Sequence, residues 1–418
     1  MTVFRRLGVA LSLACILACS LLPVIARAAD VRPNGLDRRV DAIPAAQLER
    51  APAALLVDPD RQIAAERLAR WMMPGWLASI VFQILVLAYF WQSGAAAKLR
   101  DSLRRMQLSE LTVRFLFGAS LAFVARLAAL LPSFYLFRVG RVMELSATLL
   151  RTWSLTWLFN TVVAMVIAGI VVSVVLWLVD RTHQWYIFTL LAIVAGSFAV
   201  TFGAINFNVV PSEPASATVL NIARPLEDKA GVHVPIVIDK RSGRTHIGAA
   251  GVAGLGPSTQ IVIDDTLVAG NTPAELRYAI AHELGEIAAR DPVRTASLNA
   301  VLVIIGVALA VFIADRIGFR RDDDPVARLA LVAALLGCVY IFVAPIDNAV
   351  LRSMSSYADG YAVALTGDRD AAIRSVVRAA DQRLDQVCPN VMARLFLETS
   401  PPLGERVASF NGVPSGCP

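Results

Sequence analysis

Charge is scarce in this chain of 418 residues: Asp, Glu, Lys and Arg make up 17% of it, against 56% hydrophobic residues. That shortage excludes an ordinary soluble enzyme and leaves a membrane protein. Five stretches, 74–92, 157–179, 185–207, 297–314 and 329–346, carry no charge at all. Each is close to the about 17–25 residues that cross a bilayer. Other absences narrow the chemistry. No C-x-x-C, phosphate-cradling glycine loop or G-x-S-x-G elbow is present, which removes dithiol redox, nucleotide and serine-hydrolase readings. No basic cluster is interleaved with aromatics, so the net charge of +6 reflects membrane topology and not a nucleic-acid partner. Cysteine is rare too, at five. Cys15 and Cys19 lie in the leader and Cys338 mid-span, leaving Cys388 and Cys417 as a pair in soluble sequence, either bridged or as two separate thiols.

What is present organises the chain. Residues 1–29 hold Arg5 and Arg6, an apolar run and the small residues Ala26, Ala28 and Ala29, which reads as a cleaved signal peptide or an uncleaved first span. A polar segment, 30–73, follows as an exported N-terminal region with no legible chemistry. Spans are expected at 74–92, 111–137, 157–179 and 185–207, a four-span membrane domain over 74–207. The second contains Arg114 and Arg126, and a span arginine faces the bundle interior or snorkels to an interface. Hydropathy collapses over 208–296, where Val234–Asp239 and Gln260–Asp264 are β-branched runs of strand length. A two-span hairpin, 297–351, then divides this soluble region from 352–418. The fold class is therefore a mostly α membrane protein, a six-span helical bundle plus signal, with a split α+β domain over 208–296 and 352–418.

Short loops bear on orientation. Lys98, Arg100, Arg104 and Arg105 against Asp101 and Glu110 put 93–110 in the cytoplasm and the split domain outside it, at a bacterial inner membrane. Arg138, Arg141 and Arg151 pull the other way.

The segment from Thr272 to Pro292 carries the chemistry. Thr272 and Glu275 form a capping box, Pro273 suits the first helical position, and Pro292 ends the run, so a helix of about five turns is expected. On it, His282 and Glu286 share a face with Glu283 beside them. In zincins that face carries two histidines and a glutamate that polarises metal-bound water. Taken alone, H-E-x-x-E also describes the solvated face of a charged helix.

The surrounding segments resemble the CAAX prenyl protease type 1 family of membrane zinc metallopeptidases and the related heat-shock membrane metallopeptidases. The likeness rests on Leu131–Tyr135 (L-P-S-F-Y), Glu144–Ser146 with Trp153, Phe207–Asn208, Gly254–Gly256, Ile261–Ile263, Asp265–Leu267, Asn348–Ala349, Arg352, Tyr357–Ala362 and Ser400–Pro402 with Glu405–Val407. It runs in order from about 130 to 410. The resemblance implies a zincin-like peptidase domain, zinc as cofactor, peptide or membrane-protein substrates beside the lipid bilayer, and proteolysis at or near the membrane. It implies His282 as a metal ligand and Glu283 as general base. The family's second histidine is Glu286 here, its carboxylate ligand is Ser355, its histidine before the closing prolines is Ser400, and its substrate-strand asparagine is Ala249. Asp359 and Arg352 are retained, Asp359 as a second catalytic candidate or a replacement ligand. Two readings stay open: a metalloendopeptidase with an incomplete zinc site, weakened or inactive, or a non-catalytic pseudopeptidase that binds peptides or membrane proteins.

Overall fold

The computed structural model describes residues 39–203, 211–254, 256–318 and 325–417; the leader and the Phe207–Asn208 match lie outside them. A 3-10 turn (Arg39–Ala42) and the single-turn helices α1 (Ala45–Leu48) and α2 (Ala53–Leu56) lead into α3 (Pro59–Gln92). Asp58 starts α3 by accepting from the backbone N–H groups of Asp60 and Arg61, with Pro59 in the first position. Then come α4 (Ala95–Arg105), α5 (Glu110–Ala128), α6 (Leu130–Val142), α7 (Leu150–Arg181) and α8 (Trp185–Gly203). The domain beyond the spans holds β1 (Ser212–Pro214), α9 (Ala217–Ala230), β2 (Ile236–Asp239), β3 (Ala250–Ala253), β4 (Gln260–Asp264), α10 (Asp265–Gly270) and α11 (Pro273–Ala289). Finally α12 (Asp291–Gly318) and α13 (Pro325–Thr366) form the hairpin, and α14 (Arg369–Arg383), α15 (Val391–Phe396) and α16 (Leu403–Asn411) close the chain.

Among the described residues five helices, α3, α5, α7, α12 and α13, are long and apolar enough to cross a bilayer. The sixth expected span is α8, a shorter apolar helix over Trp185–Ala199, and the end of the 185–207 segment lies outside the described residues. The expected span 111–137 differs from the structure: it is two helices, parted at Ala129. Pro132 falls in the first turn of the second helix, where its missing N–H leaves no bond unmade.

The membrane helices deliver the site. At 42 residues, α13 is about 63 Å long and runs out of the bilayer into the domain, where its last turns pack on α11. Gly285 sets the spacing there, because a Cβ at that position would lie 3.2 Å from Ala358 Cα. The sheet has the order β1-β2-β4-β3, with β2 and β4 parallel and the two outer pairs antiparallel. Sequence patterning captured β2 and β4; β1 and β3 are short edge strands, and β3 lacks a β-branched run. At the turn leaving β3, Gly254 adopts φ +81°, and a Cβ there would meet Ser258 O at 2.0 Å.

One core unites distant stretches of chain. Ile261 and Ile263 from β4, Ile280 and Leu284 from α11, Ile373 from α14 and Phe410 from α16 pack with Val40, Leu48 and Leu56 of the N-terminal segment. Buried charge ties the same parts. Arg378 Nη2 on α14 donates to Glu275 Oε1 at 3.0 Å and to Asp41 Oδ1 at 2.6 Å. Glu275 is fully buried and also accepts the Thr272 N–H at 2.7 Å, so the start of α11 is anchored to both.

Candidate functional site

The capping box read from the sequence is present, with Thr272 Oγ1 accepting from Glu275 N and Pro273 in the first turn. Arg290, in the left-handed region at φ 57°, ends α11. Pro292 does not serve as the terminator; it sits in the first turn of α12, where its missing N–H leaves no bond unmade. The helix thus holds His282, Glu283 and Glu286 at the point where the domain meets its membrane hairpin.

His282 has a carboxylate near each ring nitrogen, at ion-pair distance and without hydrogen-bond alignment. Nδ1 lies 2.9 Å from Asp359 Oδ1, and Nε2 lies 3.7 Å from Glu286 Oε1. Asp359, brought in by α13, is occupied on its other sides. It accepts from Tyr278 Oη at 2.7 Å, from Arg406 Nε at 2.7 Å and from Arg406 Nη2 at 2.6 Å. Asp359 lies behind the ring on the side where a supporting carboxylate stands at metal-binding histidines, although its contact with Nδ1 is electrostatic and not an aligned hydrogen bond. Burial alone would lower the His282 pKa, but the contacts with Asp359 and Glu286 outweigh it and push it up to about 10. Burial raises Glu283 to about 8, with Glu286 adding to the rise and His282 opposing it.

Tyr278, His282, Glu283 and Glu286 border a cavity of about 500 Å³, shared with Ser355, Ser400 and Arg406. Ala250 and Val252 of the edge strand β3 form another part of its wall. The sequence-predicted residues are therefore brought together: His282, Glu283 and Glu286 from one helix, Ser355 from α13 and Ser400 from the loop before α16. Asp359 reaches His282 from the Nδ1 side, opposite to Glu286, with its oxygens engaged by Arg406 and Tyr278. Among the described residues, no group of three or more His, Cys, Asp and Glu side chains is arranged to hold a metal ion. His233 pairs with Asp228 at 2.9 Å on the surface, and His246 Nδ1 lies 2.9 Å from Glu144 O; neither lines the cavity.

Two members of the site carry no chemical role read from the sequence, although Arg406 lies within the Glu405–Val407 match. Tyr278 precedes His282 by one helical turn, a spacing that was legible. Arg406 belongs to α16, and nothing local to it signals Asp359. The rim carrying Ser400 is held by Arg352, whose Nη1 donates to Arg394 O and Glu398 O, each at 2.7 Å, while Asn348 Nδ2 donates to Leu395 O at 2.9 Å. Beyond the rim, Cys388 and Cys417 form a disulfide.

Comparison with known proteins matches residues 218–413 to peptidase family M48. A relative in Bacillus subtilis (strain 168), the uncharacterized metalloprotease YhfN, is 24% identical over 319 residues, which span 70% of this chain and 73% of that protein. The crystal structure of S. mikatae Ste24p shares the fold at a TM-score of 0.70 and 17% identity, covering 95% of this chain and 98% of that one.

Proposed function

We propose that this chain is a CAAX protease-like membrane member of peptidase family M48, a reading supported by the family match, the Bacillus relative and the shared fold, and that it receives peptide segments at the α11 cavity while its hydrolytic power is weakened or lost. The single observation that carries the reading is the donor set around His282. Zinc in such peptidases takes three protein donors and one water. Here Nε2 of His282 faces a carboxylate, Glu286, where the family has a second imidazole, and Ser355 stands at the third donor position. Asp359 does not make up the number, because Arg406 and Tyr278 hold it behind the ring. Two donors and a neutral hydroxyl do not fit a three-ligand shell, so no hydrolytic step is derived through the metal.

Peptide recognition needs none of those donors. The edge strand β3 offers unpaired backbone groups along the cavity wall, and an extended peptide adds to such an edge by main-chain hydrogen bonds. Exported or membrane proteins at a bacterial inner membrane are the proposed partners, with 208–296 and 352–418 outside the cytoplasm. The Cys388–Cys417 disulfide supports that side, because cytosolic thiols are kept reduced.

The test is metal content, by elemental mass spectrometry on detergent-purified protein, beside peptide cleavage by the wild type and Glu283→Gln. Zinc far below one equivalent and no Glu283-dependent cleavage are expected. One zinc per chain with cleavage that Glu283→Gln abolishes would overturn the proposal.

A further inference from the structure

The two arginines of span α5 are treated differently. Arg114 is neutralised: its Nη2 lies 2.5 Å from Asp180 Oδ2 on α7, and its Nε lies 3.7 Å from Glu110 Oε1. Arg126, on the last turn of the same helix, has no carboxylate partner among the described residues. Helices α5 and α7 run antiparallel, with Ser173 Oγ donating to Leu111 O at 3.2 Å near one end and Arg126 Nε reaching Thr161 Oγ1 at 3.5 Å near the other. The guanidinium of Arg126 lies 5.9 Å from the ring centroid of Trp157.

This corner is rich in donors and poor in acceptors. Thr161 Oγ1 already donates to Trp157 O at 2.8 Å, and Trp157 Nε1 is buried without an acceptor. An indole N–H without an acceptor, beside a guanidinium that meets only a hydroxyl and an aromatic face and no carboxylate among the described residues, suits a group bearing negative charge and several acceptor oxygens. Depth narrows the choice. The uncharged run of α7 begins at Thr152, directly after Arg151, so Trp157 lies in the early turns of the span on the side of that arginine, near the interface where indole rings concentrate. Around the seam the apolar side chains of Phe123, Leu127, Leu155 and Leu158 are exposed, a surface for acyl chains and not for water.

A second cationic tier lies above it. Phe137 of α6 stacks on Trp153 of α7 at 5.1 Å, which draws the end of α6 onto the start of α7. Arg138 and Arg141 on α6 and Arg151 on α7 are exposed there, and none of them forms an ion pair among the described residues. Basic residues at headgroup level attract anionic lipid. We propose that the α5–α7 seam binds the phosphate headgroup of an anionic phospholipid, with Arg126 and Trp157 donating to the phosphate and Arg138, Arg141 and Arg151 gathering negative charge at the surface. The same arginines that oppose the domain's outward orientation by loop counting then serve lipid recognition in the leaflet nearest the domain.

Native mass spectrometry of the full chain, delipidated and then titrated with phosphatidylglycerol or with phosphatidylcholine of the same acyl chains, tests this. The wild type should prefer phosphatidylglycerol by about tenfold, the effect of one strong charge-assisted contact. Arg126→Gln should cut most of that preference, the surface arginines keeping a remainder, and Trp157→Phe, which keeps an aromatic ring and removes the N–H, should reduce it. Equal retention of both lipids by the wild type overturns the proposal, as does an undiminished preference in Arg126→Gln. Should Arg126→Gln fail to fold, an undiminished preference in Trp157→Phe overturns it. Complete displacement of phosphatidylglycerol by equimolar inorganic phosphate would make this a free-phosphate site, and that also overturns it.

Discussion

Arg406 grips Asp359 with two parallel contacts, Nε to Oδ2 at 2.7 Å and Nη2 to Oδ1 at 2.6 Å, across 47 positions of sequence. Both partners are largely buried, with side chains 11% and 5% exposed. Through this pair α16 holds α13 against α11, and His282 takes its orientation from the result.

Removing one partner leaves the other as an uncompensated buried charge, which typically destabilises by about 3–5 kcal/mol. Arg406→Leu should therefore lower the thermal unfolding midpoint in detergent markedly. Arg406→Lys should fall between, because a point charge cannot reproduce the planar fork. An Arg406→Leu protein that melts with the wild type would refute the structural role assigned to the pair.

The proposed donor shortage at His282 predicts a gain of metal by repair. Glu286→His with Ser355→Glu should raise bound zinc to near one equivalent, since position 286 is one turn from His282 and position 355 already borders the same cavity. Elemental mass spectrometry reads the outcome. No change in zinc would mean that the backbone, and not only the side chains, is unsuited to the metal.

The bridge between Cys388 and Cys417 closes a separation of 29 residues, worth about 3–4 kcal/mol on chain-entropy grounds. Protein from intact cells should resist alkylation at both cysteines until it is reduced, and Cys388→Ser with Cys417→Ser should melt lower. Quantitative alkylation of both thiols before reduction would contradict the structure.

Glu398, beside the Ser400 rim, is raised from 4.5 to about 7 by burial and by Asp385, against the pull of Arg383 and Arg352. A carboxyl with a raised folded pKa adds stability that is present below its unfolded pKa of 4.5 and is lost as pH rises through about 7. The unfolding midpoint of the wild type should decline across that window more steeply than that of Glu398→Gln. Parallel profiles for the two proteins would remove Glu398 from the account.

Much of the site was legible because its signals are local. A capping box, a proline in the first turn and the spacing of His282, Glu283 and Glu286 all lie within one helix, where 3.6 residues per turn converts spacing into a shared face. Tyr278 obeyed the same rule and went unread only because no chemistry called for it. Strands β2 and β4 were legible from their β-branched runs, whereas β1 and β3 owe their pairing to neighbours and not to their own residues. The expected span 111–137 contains the membrane-length helix α5 but extends past its end at Ala128 into α6, a boundary that the apolar run does not mark.

By itself the sequence determined that this protein crosses a membrane, because bilayer thickness imposes a length of uncharged chain that no tertiary contact has to supply. It also determined the helix that carries H-E-x-x-E, because caps and turn spacing are properties of neighbouring residues. The tertiary structure alone decided what those residues face. That Asp359 stands behind His282 with Arg406 and Tyr278, that Val40, Leu48 and Leu56 complete a core begun two hundred residues later, and that Arg126 meets Trp157 without a carboxylate are all contacts between distant segments. Such contacts arise when long helices cross and pack at close spacing, here where Gly285 lets α11 approach α13, and no periodicity within either helix encodes the meeting point.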